Sequence, residues 1–304
     1  MQLTKEHFEP ISMDLRQAEE IKRPSLSFWA DVWRRLKKNK VAMASMIFII
    51  VLLALAVFIP IFSSNDYFTT DLAGKNKKPS VEHWFGTDDL GRDMFVRIWY
   101  GARISLEVGF AAAAIDLIVG IIYGGIAGFY GGRVDEIMMR IADLLFAVPY
   151  LLVVILLMVV MGPGLLTIII ALTVTGWIGM ARIVRGQILQ LKAQEYVLAA
   201  RSLGADNKRL IFKHLIPNAL GPIIVTLSLT VPTAIFAEAF LSFIGLGVAA
   251  PIASWGTMAN DGLPAMKYYP WRLMFPAIFI SVTMLAFNLL GDGLRDAVDP
   301  RLRK

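Results

Sequence analysis

Cysteine is missing from this 304-residue chain, which removes disulfides, thiolate metal centres and a cysteine nucleophile from consideration. Histidine is nearly as scarce: His7, His83 and His214 are dispersed along the sequence rather than spaced as a ligand cluster. No Gly-x-x-x-x-Gly-Lys-Ser/Thr run occurs, so no phosphate-binding loop is visible. The Gly86-Thr87-Asp88 stretch and its neighbouring acids do not follow a regular oxygen-ligand loop and are read as a solvated structural turn. These absences argue against an enzyme acting alone and against a metal or cofactor bound by this chain.

Charge is also thin. Asp, Glu, Lys and Arg make up 18% of the chain and apolar residues 57%, against ~25% charged in ordinary soluble domains. The net charge of +6 lies in short clusters between apolar runs, with no base-stacking signature, so nucleic acid is not an expected partner. Six apolar segments stand out, at about 41–62, 104–130, 139–161, 165–184, 219–244 and 273–290. Each approaches the ~20 residues that cross ~30 Å of hydrocarbon. The expected fold is an all-α, six-span integral membrane protein.

Alternate loops differ in basic content. With the N-terminus inside, twenty-two of the thirty Lys and Arg residues fall on the cytoplasmic side, as the positive-inside rule requires. Both termini are then cytoplasmic in a multi-pass protein of the cell membrane. The expected layout is a 1–40 tail with an interfacial helix, a 41–62 first span acting as a retained signal anchor, and a 63–103 extracytoplasmic segment. A 104–290 core with five spans and a 291–304 cytoplasmic tail complete it. Trp29 and Trp33, followed by Arg34, Arg35, Lys37 and Lys38, suit headgroup depth, with membrane lipid as the partner.

Within the core, the loop 190–216 is too long for a hairpin and reads as two short helices. Tyr196, Ala199, Ala200 and Leu203 share one helical face, Gly204 supplies a stop, Asp206 caps the next helix, and Pro217 opens the fifth span. Two readings are open: the pair rests on lipid headgroups through Arg201, Lys208 and Arg209, or its small-residue face docks in a groove on a soluble partner. Gly120, Gly124 and Gly128 form a stripe suited to close helix packing, with a hinge or pore-facing role as the alternative. Pro232 is expected to kink the fifth span. Asp116 and Glu238 lie inside apolar runs, where a carboxyl lines a pathway or hydrogen-bonds between helices; Asn288 reads as packing glue.

The run Leu198-Ala199-Ala200, Gly204 and His214-Leu215-Ile216-Pro217 resembles the Glu-Ala-Ala loop of bacterial ABC-importer permeases, with Leu198 where that family has Glu. His83-Trp84-Phe85-Gly86-Thr87-Asp88-Asp89-Leu90-Gly91-Arg92-Asp93 and Gly101-Ala102-Arg103-Ile104-Ser105-Leu106 resemble oligopeptide and dipeptide permeases. So do Ala239-Phe240-Leu241-Ser242-Phe243-Ile244-Gly245-Leu246-Gly247, Ser254-Trp255-Gly256, Gly291-Asp292-Gly293-Leu294-Arg295-Asp296 and Asp299-Pro300-Arg301. The strings point to the C-type membrane subunit of oligopeptide importers.

That resemblance implies a type I importer permease fold and a coupling helix on Tyr196, Ala199, Ala200, Leu203, Gly204 and Pro217. It implies a second homologous permease, one or two cytoplasmic ATP-binding subunits carrying ATP and Mg2+, an extracytoplasmic peptide-binding protein meeting 63–103 and 246–271, and a peptide substrate. Dipeptide, nickel and antimicrobial-peptide systems are the alternatives within the family. Outside it stands an ion-coupled secondary transporter, whose mark would be paired intramembrane ionisable residues.

Overall fold

The computed structural model describes residues 27–63 and 65–299. The N-terminal tail through residue 26 and the final residues 300–304, including the string at Pro300 and Arg301, lie outside the described residues. Among those described, every extended element is helical; the sole β pairing is an isolated bridge between Thr87 and Asp93.

Helix α1 (Phe28–Lys38) is amphipathic. It buries Val32 and Leu36 against Ala42, Ala297 and Val298, while Phe28, Trp29 and Trp33 face outward. Asn39 separates it from α2 (Lys40–Phe62), and its side-chain oxygen accepts from the backbone N–H groups of Val41 and Ala42 at 3.1 Å each. Two donors left over at the start of α2 are thereby satisfied, allowing a new axis direction.

Helix α3 (Met94–Tyr130) begins at Met94 rather than near 104. Asp93 caps it by accepting from Val96 N at 3.0 Å. The charges that make 94–103 look like a loop are absorbed by neighbours: Arg97 donates to the Tyr67 carbonyl at 3.1 Å and lies 3.4 Å from Asp88. At 37 residues, α3 rises about 55 Å, more than the hydrocarbon thickness. Its first turns therefore belong to the outer layer.

The expected continuous span at 139–161 is broken. Helices α4 (Gly132–Phe146) and α5 (Tyr150–Met161) meet at 76°. Pro149 disfavours helical backbone at Val148 and cannot donate into the preceding turn. Two ion pairs hold α4 along α6 (Leu165–Leu191): Arg185 grips Asp135 with two hydrogen bonds, one at 2.6 Å, and Arg182 meets Asp143 at 2.7 Å. Five helices are long and apolar enough to cross a membrane, or six with the bent pair as one span.

After α7 (Glu195–Ser202), a single helix α8 (Asn207–Phe243) runs through a π turn at Leu210–Leu215 and past Pro217, Pro222 and Pro232. Pro217 thus sits in a continuing helix, where the sequence pattern puts a boundary. Short α9 (Trp255–Gly262) and long α10 (Trp271–Val298) follow.

The helices pack around shared apolar cores. Near the 65–93 end, Trp255 is fully buried among residues including Ile98, Trp99, Val231 and Phe287. At the opposite end, Val197, Leu210 and Leu215 join Phe129, Val184 and Ile188.

Candidate docking surface and intramembrane polar groups

At the α7 end, Lys192 closes the junction. Its Nζ donates to the Gly128 carbonyl at 2.8 Å, where α3 has run out of helical donors. Helix α6 stops at Leu191 and α7 starts at Glu195, so the first of the two short helices expected in the 190–216 loop begins only at Glu195. Gly204 has φ +83°, the left-handed conformation that terminates helices, and its N–H donates to the Arg201 carbonyl at 3.0 Å. A Cβ there would meet nothing, so the backbone rather than space requires glycine. Asp206 accepts from Arg209 N at 2.9 Å and opens α8.

The face shared by Tyr196, Ala199 and Leu203 is exposed, Leu203 at 89%, whereas Ala200 is half-buried against the core. Leu198 and Phe212 extend this surface. Partial desolvation raises the Tyr196 phenol above its ordinary value, leaving the ring uncharged at neutral pH. Val197 points the other way, into the core with Leu210 and Leu215. The sequence pattern missed Val197 and Phe212; the faint trace of Val197 is an apolar residue opposite the alanine face. Pro217 is exposed at the first turn of the regular α segment that follows the π turn.

Glu238 is wholly buried in a hydroxyl cage. Ser105 donates to Oε2 at 2.8 Å and Ser242 to Oε1 at 2.7 Å, while Ser254, the cap of α9, donates to Ser242 at 3.3 Å. Trp255 adds a backbone bond to Ser105 at 3.4 Å and an indole bond to the Ile98 carbonyl at 3.0 Å. One carboxyl therefore ties α3, α8 and α9 together and faces no open pathway within this chain. Asp116 is buried against Gly176 of α6, where a Cβ would collide with its carboxyl, and its Oδ1 has no hydrogen-bond partner. Asn288 is exposed on α10 and so is not glue between this chain's helices.

Gly120, Gly124 and Gly128 face α6. A Cβ would collide with Met180 at the first, the Ala181 carbonyl at the second, and Arg185 and Ile188 at the third. The Gly86–Asp88 turn is structural but not solvated. Thr87 is fully buried, donating to the Gly74 carbonyl at 2.6 Å and accepting from Lys77 N at 2.8 Å. Buried Asp88 accepts from Leu90 N and Arg92 N at 2.9 Å each and from Arg92 Nε at 2.6 Å.

Residues 120–304 match the family described as the binding-protein-dependent transport system inner membrane component, and residues 27–79 match the N-terminal TM domain of oligopeptide transport permease C. The oligopeptide transport system permease protein OppC of Bacillus subtilis (strain 168) is 64% identical over 302 residues, covering 99% of each chain. The dipeptide transport system permease protein DppC of the same organism is 62% identical, covering 95% of this chain and 91% of the relative. Among solved structures, a chain of the inward-facing MetNI methionine ABC transporter in its native crystal form superposes with a TM-score of 0.57 at 18% identity, covering 68% of this chain and 98% of that one. That likeness concerns the fold alone. With its helical membrane architecture, full-length kinship and two matching family regions, the chain belongs to the binding-protein-dependent transport system inner membrane components, as an ABC-importer permease of the oligopeptide and dipeptide C type.

Proposed function

We propose that the chain forms half of the translocation pathway of an ATP-driven oligopeptide importer, with both termini cytoplasmic. A second, homologous permease completes the pathway, a peptide-binding protein meets the 65–93 and α9 end, and one or two partner subunits hold ATP and Mg2+. The observation that carries this reading is the exposed apolar surface of Tyr196, Leu198, Leu203 and Phe212 beside the Gly204 stop. A rigid projection backed by Val197 can enter a groove in an ATPase and transmit its closure to α6 and α8. ATP-driven closure shifts the permease only through unequal contacts with its two states, and a docked α7 supplies that inequality. The gene products related at 64% and 62% bear oligopeptide and dipeptide names respectively, so peptide length is the property to measure.

The test is uptake into vesicles containing the assembled transporter. Leu203→Asp leaves the core untouched and is expected to abolish ATPase retention on the membrane and ATP-dependent uptake, because a groove shaped for an apolar side chain would have to bury a charge. Unchanged retention and uptake would remove the docking role. Uptake that stops with an uncoupler and survives ATP depletion would instead establish ion coupling. A ladder from dipeptide to pentapeptide ranks the substrates.

A further inference from the structure

Beside the Gly204 stop, at the start of α8, lies a groove of about 330 Å³ lined by Asp206, Lys208, Arg209, Phe212 and Lys213. Leu210 and Leu215 point into the core with Val197, and this turns Lys208, Arg209, Phe212 and Lys213 outward, where all four are exposed. The Phe212 ring and the aliphatic stems of the basic residues give the groove an apolar floor, with the charged heads at its rim. Asp206, the one acid in the lining, is committed through Oδ1 to the Arg209 N–H at 2.9 Å as the helix cap. The lining keeps an excess of positive charge.

The other cations between 182 and 201 are engaged within the chain. Arg182 meets Asp143, Arg185 meets Asp135, Lys192 donates to the Gly128 carbonyl, and the Arg201 guanidinium stands 6.0 Å from the Phe129 ring centre. Lys208, Arg209 and Lys213 make no ion pair and no side-chain hydrogen bond among the described residues. Their distance from the bilayer decides what can meet them. Lys208 lies eleven residues before Ala219, where the apolar run of the fifth span begins, and so about 16 Å along the helix. The headgroup layer outside the hydrocarbon is only about 5–8 Å thick on each side. Headgroups therefore fall short of Lys208 and Arg209, whereas a soluble protein seated on Leu203 and Phe212 would cover them.

We propose that this groove is the basic half of the ATPase interface and takes an acidic segment of the ATP-binding subunit. An apolar side chain of that segment lies against Phe212, and its carboxylates face Lys208, Arg209 and Lys213. The inference rests on the docking reading above and adds to it the sign of the partner's surface. Phe212 belongs both to the groove and to the exposed apolar surface of Tyr196, Leu198 and Leu203, so one partner covers the two together. The apolar contacts hold the subunit, while the rim charges guide its approach and set the salt dependence of docking.

The experiment measures ATPase retention on the assembled transporter in nanodiscs of phosphatidylcholine, with and without phosphatidylglycerol, over a KCl range that spans strong to weak screening. Wild-type retention is expected to fall as salt rises, equally in both lipids. The neutral variant Lys208→Gln, Arg209→Gln, Lys213→Gln is expected to weaken retention about tenfold at low salt and to flatten the salt dependence. The charge-preserving variant Lys208→Arg, Arg209→Lys, Lys213→Arg is expected to keep the wild-type affinity and slope; an equal loss in both variants would overturn the proposal, because shape rather than charge would then be at work. Wild-type retention and slope in the neutral variant would also overturn it. So would a defect confined to nanodiscs containing phosphatidylglycerol, which would assign the patch to anionic headgroups. Leu203→Asp decides the docking reading separately: loss of the ATPase in that variant with none in the neutral variant removes the charge contact alone.

Discussion

Glu238 is held from both oxygens by hydroxyl donors that come from sequence positions 105 and 242, and through Ser242 it reaches Ser254 at the cap of α9. Glutamine preserves an acceptor and the side-chain shape, whereas leucine leaves buried hydroxyls unpaired at about 1–3 kcal/mol each. Glu238→Leu is therefore expected to lower the thermal midpoint of the assembled protein well beyond Glu238→Gln, measured by unfolding in detergent. Equal midpoints would mean that the cage does not hold these elements. The sequence pattern marks Glu238 and Asp116 as carboxyls in apolar runs, but it supplies neither residue's partners. Ser105 is too far away in sequence for any local periodicity to reach, and the exposure of Asn288 likewise depends on which face of α10 the other helices cover.

Helix contacts were more accessible to sequence reasoning, because the stripe Gly120, Gly124 and Gly128 advertises a close approach by its spacing alone. Only the packed structure identifies α6 as the neighbour, with the Ala181 carbonyl lying against Gly124. Gly124→Val would force these backbones apart, and overpacking of this kind costs about 1–3 kcal/mol. Gly125 provides the comparison, since a Cβ there meets nothing. Gly125→Ala is expected to give wild-type yield and protease resistance, and Gly124→Val to lose both; similar behaviour of the two variants would contradict the α3 and α6 packing. The broken α4 and α5 pair was not legible as such. The apolar run breaks at Pro149 into two helices bent by 76°, and the pairing of Asp135 and Asp143 with α6 arginines, which holds α4 along α6, comes from residues some forty to fifty positions away.

At the scale of the whole molecule, α1 lies across the end of α10 with its apolar residues divided between two environments. Val32 and Leu36 face protein, while Trp29 and Trp33 project outward. Bromine near the lipid headgroups is expected to quench Trp29 and Trp33 strongly, read as the difference between the intact protein and a Trp29→Phe, Trp33→Phe variant. No difference would detach α1 from the membrane surface. Composition and hydropathy alone determined that the solvent of this protein is a bilayer, and local backbone chemistry placed the Gly204 stop and the Asp206 cap, because those signals lie within a few residues of one another. Only the tertiary structure decided that Arg97 and Thr87 are buried and that Glu238 joins three helices. Such outcomes depend on groups brought together from distant parts of the chain, where the cost of an unpaired polar atom is set by its neighbours in space.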